Sequence, residues 1–86
     1  MQHLLHTSFD KKHKKLSKKL QLKIAERLVL FDQNPFDKIL DNHPLHGEFE
    51  GYRSINITGD YRAVFLIHQE VAIFTDIGTH SELFGK

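Results

Sequence analysis

Three histidines are placed where an imidazole could exchange protons with a substrate. His43 and His46 lie in a turn-rich stretch, residues 35–50, that carries both prolines, and His80 follows Thr79 near the end of the chain. Thr79 and Glu82 have the spacing of a capping box, which predicts a helical turn that begins at Thr79 with His80 in its first position. Free N–H groups at such a helix end can receive a phosphate, so His80 could act as a general base on nucleic acid.

Plainer interpretations of the same residues stay open. Loop histidines are usually ordinary surface residues, and the capped turn could serve only to fold Leu83 and Phe84 onto the sheet, with Gly85 ending it. No His-x₃-His or comparable ligand pair falls on one predicted helix, which argues against a metal site. The absence of cysteine excludes disulfides and thiolate chemistry. We therefore predict no metal and no other cofactor.

The basic residues are concentrated in one segment. The net charge is only +1, yet residues 11–27 hold eight of the twelve lysines and arginines and a single acid, Glu26. The lysines of this segment are Lys11, Lys12, Lys14, Lys15, Lys18, Lys19 and Lys23. Such asymmetry points to a polyanion or an acidic partner protein, and a solvated lysine-rich helix face explains it equally well.

Length and composition predict a single domain over residues 1–86. A chain of 86 residues can bury one core, and 40% hydrophobic residues with seven Phe and two Pro argue against disorder. No apolar run approaches the roughly 20 residues needed to cross a membrane, and the N-terminus lacks the apolar region of a signal peptide. We expect a soluble cytoplasmic protein with no membrane partner.

The first half predicts a short strand at residues 3–7 and then a helical hairpin. Ser8 is the expected first N-cap, with Asp10 in the first turn. A single helix over residues 8–34 would be about 40 Å long, too long for a compact chain of this size. A bend is therefore predicted at residues 17–20, where Ser17 can cap the second helix.

The second helix has a broad apolar surface. We expect it to lie on the sheet while the lysines face water. Its apolar positions include Leu20, Leu22, Ala25, Leu28, Val29 and Phe31.

The second half predicts a three-strand antiparallel meander. Two strands are joined at Thr58-Gly59, where Gly59 supplies the permissive backbone of a tight turn, and a third strand covers residues 71–77 after a short polar gap. The middle strand should present one fully apolar face. That face consists of Tyr61, Ala63, Phe65 and Ile67. The predicted class is α+β: a strand, a helical hairpin, three meander strands packed on the helices, and a short terminal helical turn.

Four segments of the second half carry more specific motifs. They are residues 42–47 (Asn-His-Pro-Leu-His-Gly), 51–53 (Gly-Tyr-Arg), 59–65 (Gly-Asp-Tyr-Arg-Ala-Val-Phe) and 78–84 (Gly-Thr-His-Ser-Glu-Leu-Phe). In this order they resemble the YafQ branch of the RelE/ParE toxins of bacterial toxin–antitoxin modules. The β-α-α-β-β-β order predicted above agrees with the RelE-like fold that the resemblance implies.

The resemblance implies a type II toxin that is a ribosome-dependent mRNA endonuclease and inhibits translation. Its implied partners are a cognate antitoxin protein, the ribosome and mRNA. The acid–base set of the YafQ-like proteins falls on His43, Asp60 and His80. Arg62 is similar in placement to an arginine that stabilises the scissile phosphate, and Phe84 matches an aromatic that contacts the RNA.

Cleavage of RNA by its own 2′-OH needs a base, an acid and cations for the growing phosphate charge. We expect His80 to be the base, His43 the acid, Asp60 their partner and Arg62 the phosphate clamp. The expected RNA contacts are the seven lysines named above together with His46, Arg53 and Asn56. Structural alternatives remain for several residues. Asp60 could do no more than support its turn, and Phe84 could belong to the core. Arg53 and Arg62 could form cross-strand ion pairs.

Two positions depart from the family pattern. Asn56 stands where YafQ-like proteins have another active-site histidine on the second strand, and Asp76 stands where an arginine commonly precedes the Gly-Thr-His segment by two residues. These departures support an alternative, a non-nucleolytic ParE-like toxin or an inactivated toxin that survives as a protein-binding module.

Overall fold

Five strands form one mixed sheet in the order β1-β5-β4-β3-β2. They are β1 (Gln2–Leu5), β2 (His43–Pro44), β3 (Arg53–Asn56), β4 (Tyr61–His68) and β5 (Val71–Thr79) in the computed structural model, which describes residues 1–85. The predicted antiparallel meander of β3, β4 and β5 is confirmed, and β5 runs two residues further than expected. The N-terminal strand starts one residue earlier than predicted and pairs parallel with β5.

Three helices complete the α+β fold: α1 (Thr7–His13), α2 (Lys18–Gln33) and α3 (His80–Phe84). Ser17 caps α2 as predicted, its hydroxyl accepting the Leu20 N–H at 3.2 Å. The bend occupies residues 14–17 rather than 17–20, because a cap residue precedes the helix that it starts. None of the helices within residues 1–85 is long and apolar enough to span a membrane.

The predicted cap of α1 was wrong. His6 is the N-cap, and its Nδ1 accepts the Ser8 N–H at 3.1 Å. Ser8 lies inside the helix, and its hydroxyl donates to the Thr75 carbonyl of β5 at 2.7 Å. The serine therefore ties α1 to the sheet instead of starting the helix.

Four phenylalanines form the centre of the core between the helices and one face of the sheet. Phe9 and Phe31 come from the helices, and Phe65 and Phe74 come from the central strands; all four are at most 1% exposed. The ring centroids of Phe65 and Phe74 are 4.9 Å apart, and those of Phe31 and Phe65 are 5.1 Å apart. Full burial of one such side chain contributes about 1.5–3 kcal/mol.

Parts of two predicted apolar surfaces do not reach this core. Leu22 and Val29 of α2 are 73% and 56% exposed, because they project away from the side of the helix that carries Ile24 and Leu28. Ile67, near the end of β4, is 45% exposed. The helices thus cover the apolar face of β4 only as far as Phe65.

The β3–β4 turn uses different chemistry from that predicted. Gly59 is not in the left-handed region, and the β3–β4 turn is held by Thr58, whose hydroxyl accepts the N–H groups of Asp60 and Tyr61. Left-handed backbone occurs instead in the two-residue β4–β5 turn, at Gln69 (φ 50°) and Glu70 (φ 67°). Two positive φ values are what a type I′ hairpin turn requires.

The turn-rich stretch at residues 35–50 is more ordered than predicted. Two 3₁₀ turns, Lys38–Leu40 and Gly47–Phe49, flank β2. In β2, His43 pairs with Ser54 and Pro44 with Arg53 at the sheet edge. An edge position suits Pro44, which has no N–H to donate. This added strand brings the loop histidines onto the sheet.

Candidate active site

A cavity of about 390 Å³ lies on the face of the sheet that points away from the helices. Side chains alternate along a strand, so the neighbours of the core residues Ile55 and Ala63 point to this opposite face. The cavity is lined by Asp41, His43, Leu45, His46, Phe49, Ser54, Arg62, His80 and Phe84. We call it the histidine cavity. It brings together His43, His46, Arg62, His80 and Phe84, five of the residues expected from the sequence.

His43 is fixed by hydrogen bonds on both sides of its ring. Its Nδ1 lies 2.7 Å from the backbone carbonyl of Asp41 and 3.7 Å from an Asp41 carboxylate oxygen. A carbonyl only accepts hydrogen bonds, so Nδ1 carries a proton. Nε2 lies 3.5 Å from the hydroxyl of Ser54, which is 1% exposed. In the tautomer that the Asp41 carbonyl fixes, Nε2 is the ring nitrogen that can accept a proton.

His80 begins α3 and also lines the cavity. The capping box is confirmed: Thr79 Oγ1 accepts the Glu82 N–H at 3.1 Å, and Glu82 Oε1 accepts the Thr79 N–H at 2.8 Å. Gly85 ends the helix in the left-handed conformation, also as predicted. Within residues 1–85 the ring nitrogens of His80 make no hydrogen bond.

An aromatic row extends from His80 across the cavity. The His80 and Phe84 ring centroids are 5.0 Å apart, one helical turn along α3. Phe84 in turn meets Phe49 edge to face, with centroids 5.4 Å apart. This row can offer a ring face to an unstacked base.

Arg62 supplies a cation to the cavity floor from β4. Its Nη1 donates to three carbonyls of the β3–β4 turn, those of Thr58, Gly59 and Tyr61, at 3.1–3.3 Å. Within residues 1–85, Nη1 is the guanidinium nitrogen that donates hydrogen bonds. The side chain is thereby oriented while its other N–H groups remain free to meet a phosphate.

Asp60 is placed beside the histidine cavity rather than in its lining. Its carbonyl accepts the His80 N–H at 3.2 Å, which anchors the start of α3 to the β3–β4 turn. The side chain is exposed, and its carboxylate forms no ion pair within residues 1–85.

Arg53 is not brought to the cavity. It is paired with Phe65 on the helix side of the sheet, where its Nε donates to Asn42 Oδ1 at 2.8 Å and its guanidinium lies 5.4 Å from the centre of the Phe36 ring. These contacts hold the turn-rich stretch, residues 35–50, against β3. The alternation of β3 could have shown this, since Arg53 shares a face with Ile55.

The lysines lie on α1 and α2 or in the bend between them, away from the cavity. Lys12 pairs with Asp76 at 2.6 Å, and Lys23 pairs with Glu26 at 3.4 Å. The remaining five form no ion pair within residues 1–85. These are Lys11, Lys14, Lys15, Lys18 and Lys19, all exposed.

Over residues 1–85 the chain matches the model of a protein family described as bacterial toxin of type II toxin–antitoxin system, YafQ. The chain belongs to the YafQ family. It is 31% identical over 76 residues to "mRNA interferase toxin YafQ" of Escherichia coli K12, an alignment that covers 88% of this chain and 79% of the relative.

Solved YafQ structures share the fold. The crystal structure of YafQ from E. coli BL21(DE3) superposes with a TM-score of 0.80 at 24% identity, covering 96% of this chain and 97% of that one. YafQ in an E. coli DinJ–YafQ complex superposes with a TM-score of 0.68 at 24% identity and the same coverage of both chains. The RelE-like α+β fold is therefore shown.

The two departures from the YafQ pattern have distinct surroundings. Asn56 pairs with Arg62 across β3 and β4 but does not line the cavity, and its buried Oδ1 has no hydrogen-bond partner within residues 1–85. Asp76 bonds Lys12 and its neighbour's N–H, so its charge is balanced on the α1 side. Neither residue lines the cavity.

Three polar or aromatic residues of the histidine cavity were missed from the sequence: Asp41, Phe49 and Ser54. Asp41 could be suspected as an acid two residues before a histidine, but its contact depends on a left-handed backbone at φ 47°. Phe49 and Ser54 carried no signal, because their place in the lining depends on the pairing of β2 with β3. No group of three or more His, Asp or Glu side chains in residues 1–85 could hold a metal ion.

Proposed function

We propose that this toxin is a ribosome-dependent mRNA endonuclease that acts in the cytoplasm and inhibits translation. The observation that carries the proposal is the convergence of His43, His80 and Arg62 on one cavity of about 390 Å³. Two imidazoles and a guanidinium are the groups needed to move two protons and to balance the phosphate charge. The name mRNA interferase, given to a relative 31% identical to this chain, supports the same activity.

The proposed reaction is attack of a ribose 2′-OH on the adjacent phosphorus. A base takes the 2′-OH proton as the new P–O bond forms, and an acid gives a proton to the departing 5′-oxygen as the old P–O bond breaks. The products are a 2′,3′-cyclic phosphate and a free 5′-OH. Each well-placed acid or base is typically worth 10²–10⁴-fold in rate.

We assign His43 as the base, the reverse of the roles expected from the sequence. The Asp41 carbonyl, 2.7 Å from Nδ1, keeps the proton on that nitrogen and leaves Nε2 as the acceptor. An Asp41 carboxylate oxygen also lies 3.7 Å from Nδ1, on the side of the ring away from Nε2. His43 is therefore oriented as the histidine of a serine-protease triad is, by a group behind its Nδ1.

We assign His80 as the acid. No residue among 1–85 accepts a hydrogen bond from its ring, so a protonated His80 can donate to the leaving oxygen. Asp60 stays its proposed partner, since its carbonyl holds the His80 N–H and its carboxylate is unpaired within residues 1–85. Arg62 clamps the phosphate between the two imidazoles, while His46 at the rim and the Phe84–Phe49 pair contact the flanking nucleotides.

The exposed lysines of α1, α2 and their bend are the proposed grip on ribosomal RNA. They lie on the helix side of the sheet, so the toxin could hold rRNA phosphates there and keep the histidine cavity open to mRNA. Phosphate contacts of this kind position a protein without reading a sequence.

A cognate antitoxin is the proposed regulator. YafQ has been crystallised with the antitoxin DinJ, and the concentrated positive charge on α1 and α2 suits an acidic partner. Covering the lysines or the cavity would keep the toxin from the ribosome.

Asn56 and Asp76 support the alternative of a non-nucleolytic ParE-like or inactivated toxin, because each removes a catalytic group of the family pattern. Induced expression followed by mapping of mRNA 5′ ends separates the possibilities. A nuclease leaves cuts at discrete codon positions that disappear in His80→Ala, a topoisomerase poison leaves DNA damage, and an inert module leaves neither. Cuts that persist undiminished in His80→Ala would remove His80 from the mechanism.

A further inference from the structure

Asp41 introduces a negative charge into the lining of the histidine cavity. Among the lining residues within 1–85 it is the only acid, and the other ionisable groups are three imidazoles and the guanidinium of Arg62. Like charges repel, so a carboxylate weakens a site that binds phosphate alone. The lining therefore indicates that an uncharged part of the substrate also enters the cavity.

The carboxylate of Asp41 is accessible to a substrate. The side chain is 67% exposed, and its Oδ2 lies 3.7 Å from Nδ1 of His43, which is beyond hydrogen-bond distance. Neither carboxylate oxygen accepts a hydrogen bond from the described part of the chain, residues 1–85. The contact that orients the His43 ring is made by the backbone carbonyl instead. Both carboxylate oxygens are therefore left to accept hydrogen bonds from a bound molecule.

Asp41 and Arg62 lie on different parts of the sheet. Asp41 precedes β2 by two residues, Arg62 belongs to β4, and β3 separates the two strands. Neighbouring strands are about 4.8 Å apart, so β2 and β4 are about 10 Å apart. A phosphate bound by Arg62 therefore does not have to approach the carboxylate, and a base of the same RNA can meet Asp41.

Guanine is the base whose hydrogen-bonding edge matches a carboxylate. Its N1–H and its 2-amino group are adjacent donors on the Watson–Crick edge, and two carboxylate oxygens can accept from both. Adenine and cytosine each place one amino group beside a ring nitrogen that only accepts, so the second carboxylate oxygen would face a lone pair. Uracil has a single N–H between two carbonyl oxygens. A carboxylate therefore favours guanine over the other three bases.

We propose that Asp41 is a specificity-determining residue, whose carboxylate selects guanine at a nucleotide next to the scissile phosphate. This inference rests on the proposed function, because it requires an RNA in the histidine cavity. Phe49 lines the same cavity and offers a ring on which the selected base can stack. Asp41 thus has two separable parts in the site: its carbonyl orients His43, and its carboxylate recognises a base.

The test measures cleavage on ribosomes for mRNAs that differ by one base at either nucleotide beside the cut. The parent should cut guanine sites about fivefold to tenfold faster than the others, the lower range for a bidentate base contact because the carboxylate is exposed. Inosine lacks the 2-amino group of guanine and should lose most of this advantage. Asp41→Asn keeps the side chain's size and tolerates positive φ, but an amide can pair with any base, so the preference should fall to within about twofold.

Glu48→Gln is the matched control, because Glu48 is an exposed acid of the same turn-rich stretch that does not line the cavity. It should retain both the cleavage rate and the base preference of the parent. A carboxylate that only supported the fold would make Asp41→Asn slower at every base while the ratio of guanine to inosine cleavage stayed at the parental value. That result would overturn the proposed role of Asp41.

Binding to the free toxin distinguishes a failure of this inference from a failure of the proposed function. The probes are two short 2′-deoxy oligonucleotides, which cannot be cut by this reaction, with guanine or inosine at one position. The parent should bind the guanine probe about fivefold more tightly, and Asp41→Asn should bind both equally. If the parent discriminates in binding but does not cut mRNA, the proposed function fails and the selection of guanine stands. Equal affinities of the parent for the two probes would overturn the selection.

Discussion

The backbone carbonyl of Asp41 lies 2.7 Å from Nδ1 of His43. This hydrogen bond decides which ring nitrogen carries the proton and therefore which nitrogen meets the substrate. It forms because Asp41 adopts a left-handed backbone, φ 47°, at the end of a 3₁₀ turn, which brings its carbonyl back toward the side chain two residues on. Asp41 was not among the expected catalytic residues, yet its backbone conformation determines which ring nitrogen of the proposed base His43 accepts the proton.

Substitutions at Asp41 should act on cleavage through that conformation. Asp41→Gly keeps the carbonyl and accepts positive φ, so its cleavage rate should fall by less than about tenfold. Asp41→Val disfavours positive φ, moves the carbonyl and should slow cleavage by about 10²-fold, the lower range for loss of a positioned base. Single-turnover cleavage on ribosomes measures both rates.

The ring nitrogens of His43 provide a direct readout of the same prediction. ¹⁵N chemical shifts of the free toxin should report the Nδ1–H tautomer in the parent and in Asp41→Gly, and a mixture of tautomers in Asp41→Val. A parent protein with the proton on Nε2 would contradict the proposed role of Asp41.

The capping box of α3 should matter more for activity than for stability. Thr79→Ala removes the acceptor of the Glu82 N–H and should cost about 1 kcal/mol in the free energy of unfolding, while Thr79→Ser should cost little. Fraying of α3 also displaces His80 and Phe84, so cleavage should slow by about tenfold or more. Equal cleavage rates for the alanine and serine variants would show that α3 needs no cap to position its histidine.

The β4–β5 turn offers a stabilising substitution far from chemistry. Gln69 and Glu70 both have positive φ, at 50° and 67°, which costs side chains with a Cβ about 1 kcal/mol each. Asn-Gly in their place fits a type I′ turn and should raise the unfolding free energy by about 1 kcal/mol, or Tm by about 4–8 °C. A lower Tm in thermal unfolding would show that the turn is held by contacts of the present side chains.

Ribosome binding should depend on the unpaired lysines and on salt. Lys14→Gln/Lys15→Gln removes two cations that have no ion-pair partner within residues 1–85. Each lost phosphate contact should reduce the slope of log K against log salt by about 0.7–0.9. Lys38→Gln, outside α1 and α2, is the matched control and should leave the slope unchanged. A slope equally steep in the double variant would place the RNA elsewhere.

The elements predicted from the sequence are those specified by neighbouring residues. β-branched and aromatic runs indicate the meander, and the spacing of Thr79 and Glu82 indicates α3. The parallel pairing of β1 with β5 joins segments about 70 residues apart, for which no local signal exists. The His6 cap was also beyond prediction, because histidine is not among the preferred N-cap residues.

The histidine cavity was only partly predictable for the same reason. The motifs indicated His43, His46, Arg62, His80 and Phe84, each of which lines the cavity. Ser54 and Phe49 enter the lining through the pairing of β2 with β3, a contact between segments that the sequence does not specify. Asn56 and Asp76 depart from the YafQ-like pattern expected from the sequence. The cleavage rate of the parent toxin will show whether catalysis tolerates these two residues.

The most direct test of the proposed mechanism uses an mRNA in which sulfur replaces the 5′-oxygen at the scissile phosphate. Sulfur leaves without a proton, so it removes the need for an acid but not for a base. On ordinary mRNA, His43→Gln and His80→Gln should each cut at least about 10²-fold more slowly than the parent. On the sulfur substrate, the rate of His80→Gln should recover to within about tenfold of the parent rate, while His43→Gln should stay slow. Parental rates for both variants on ordinary mRNA would contradict catalysis in this cavity.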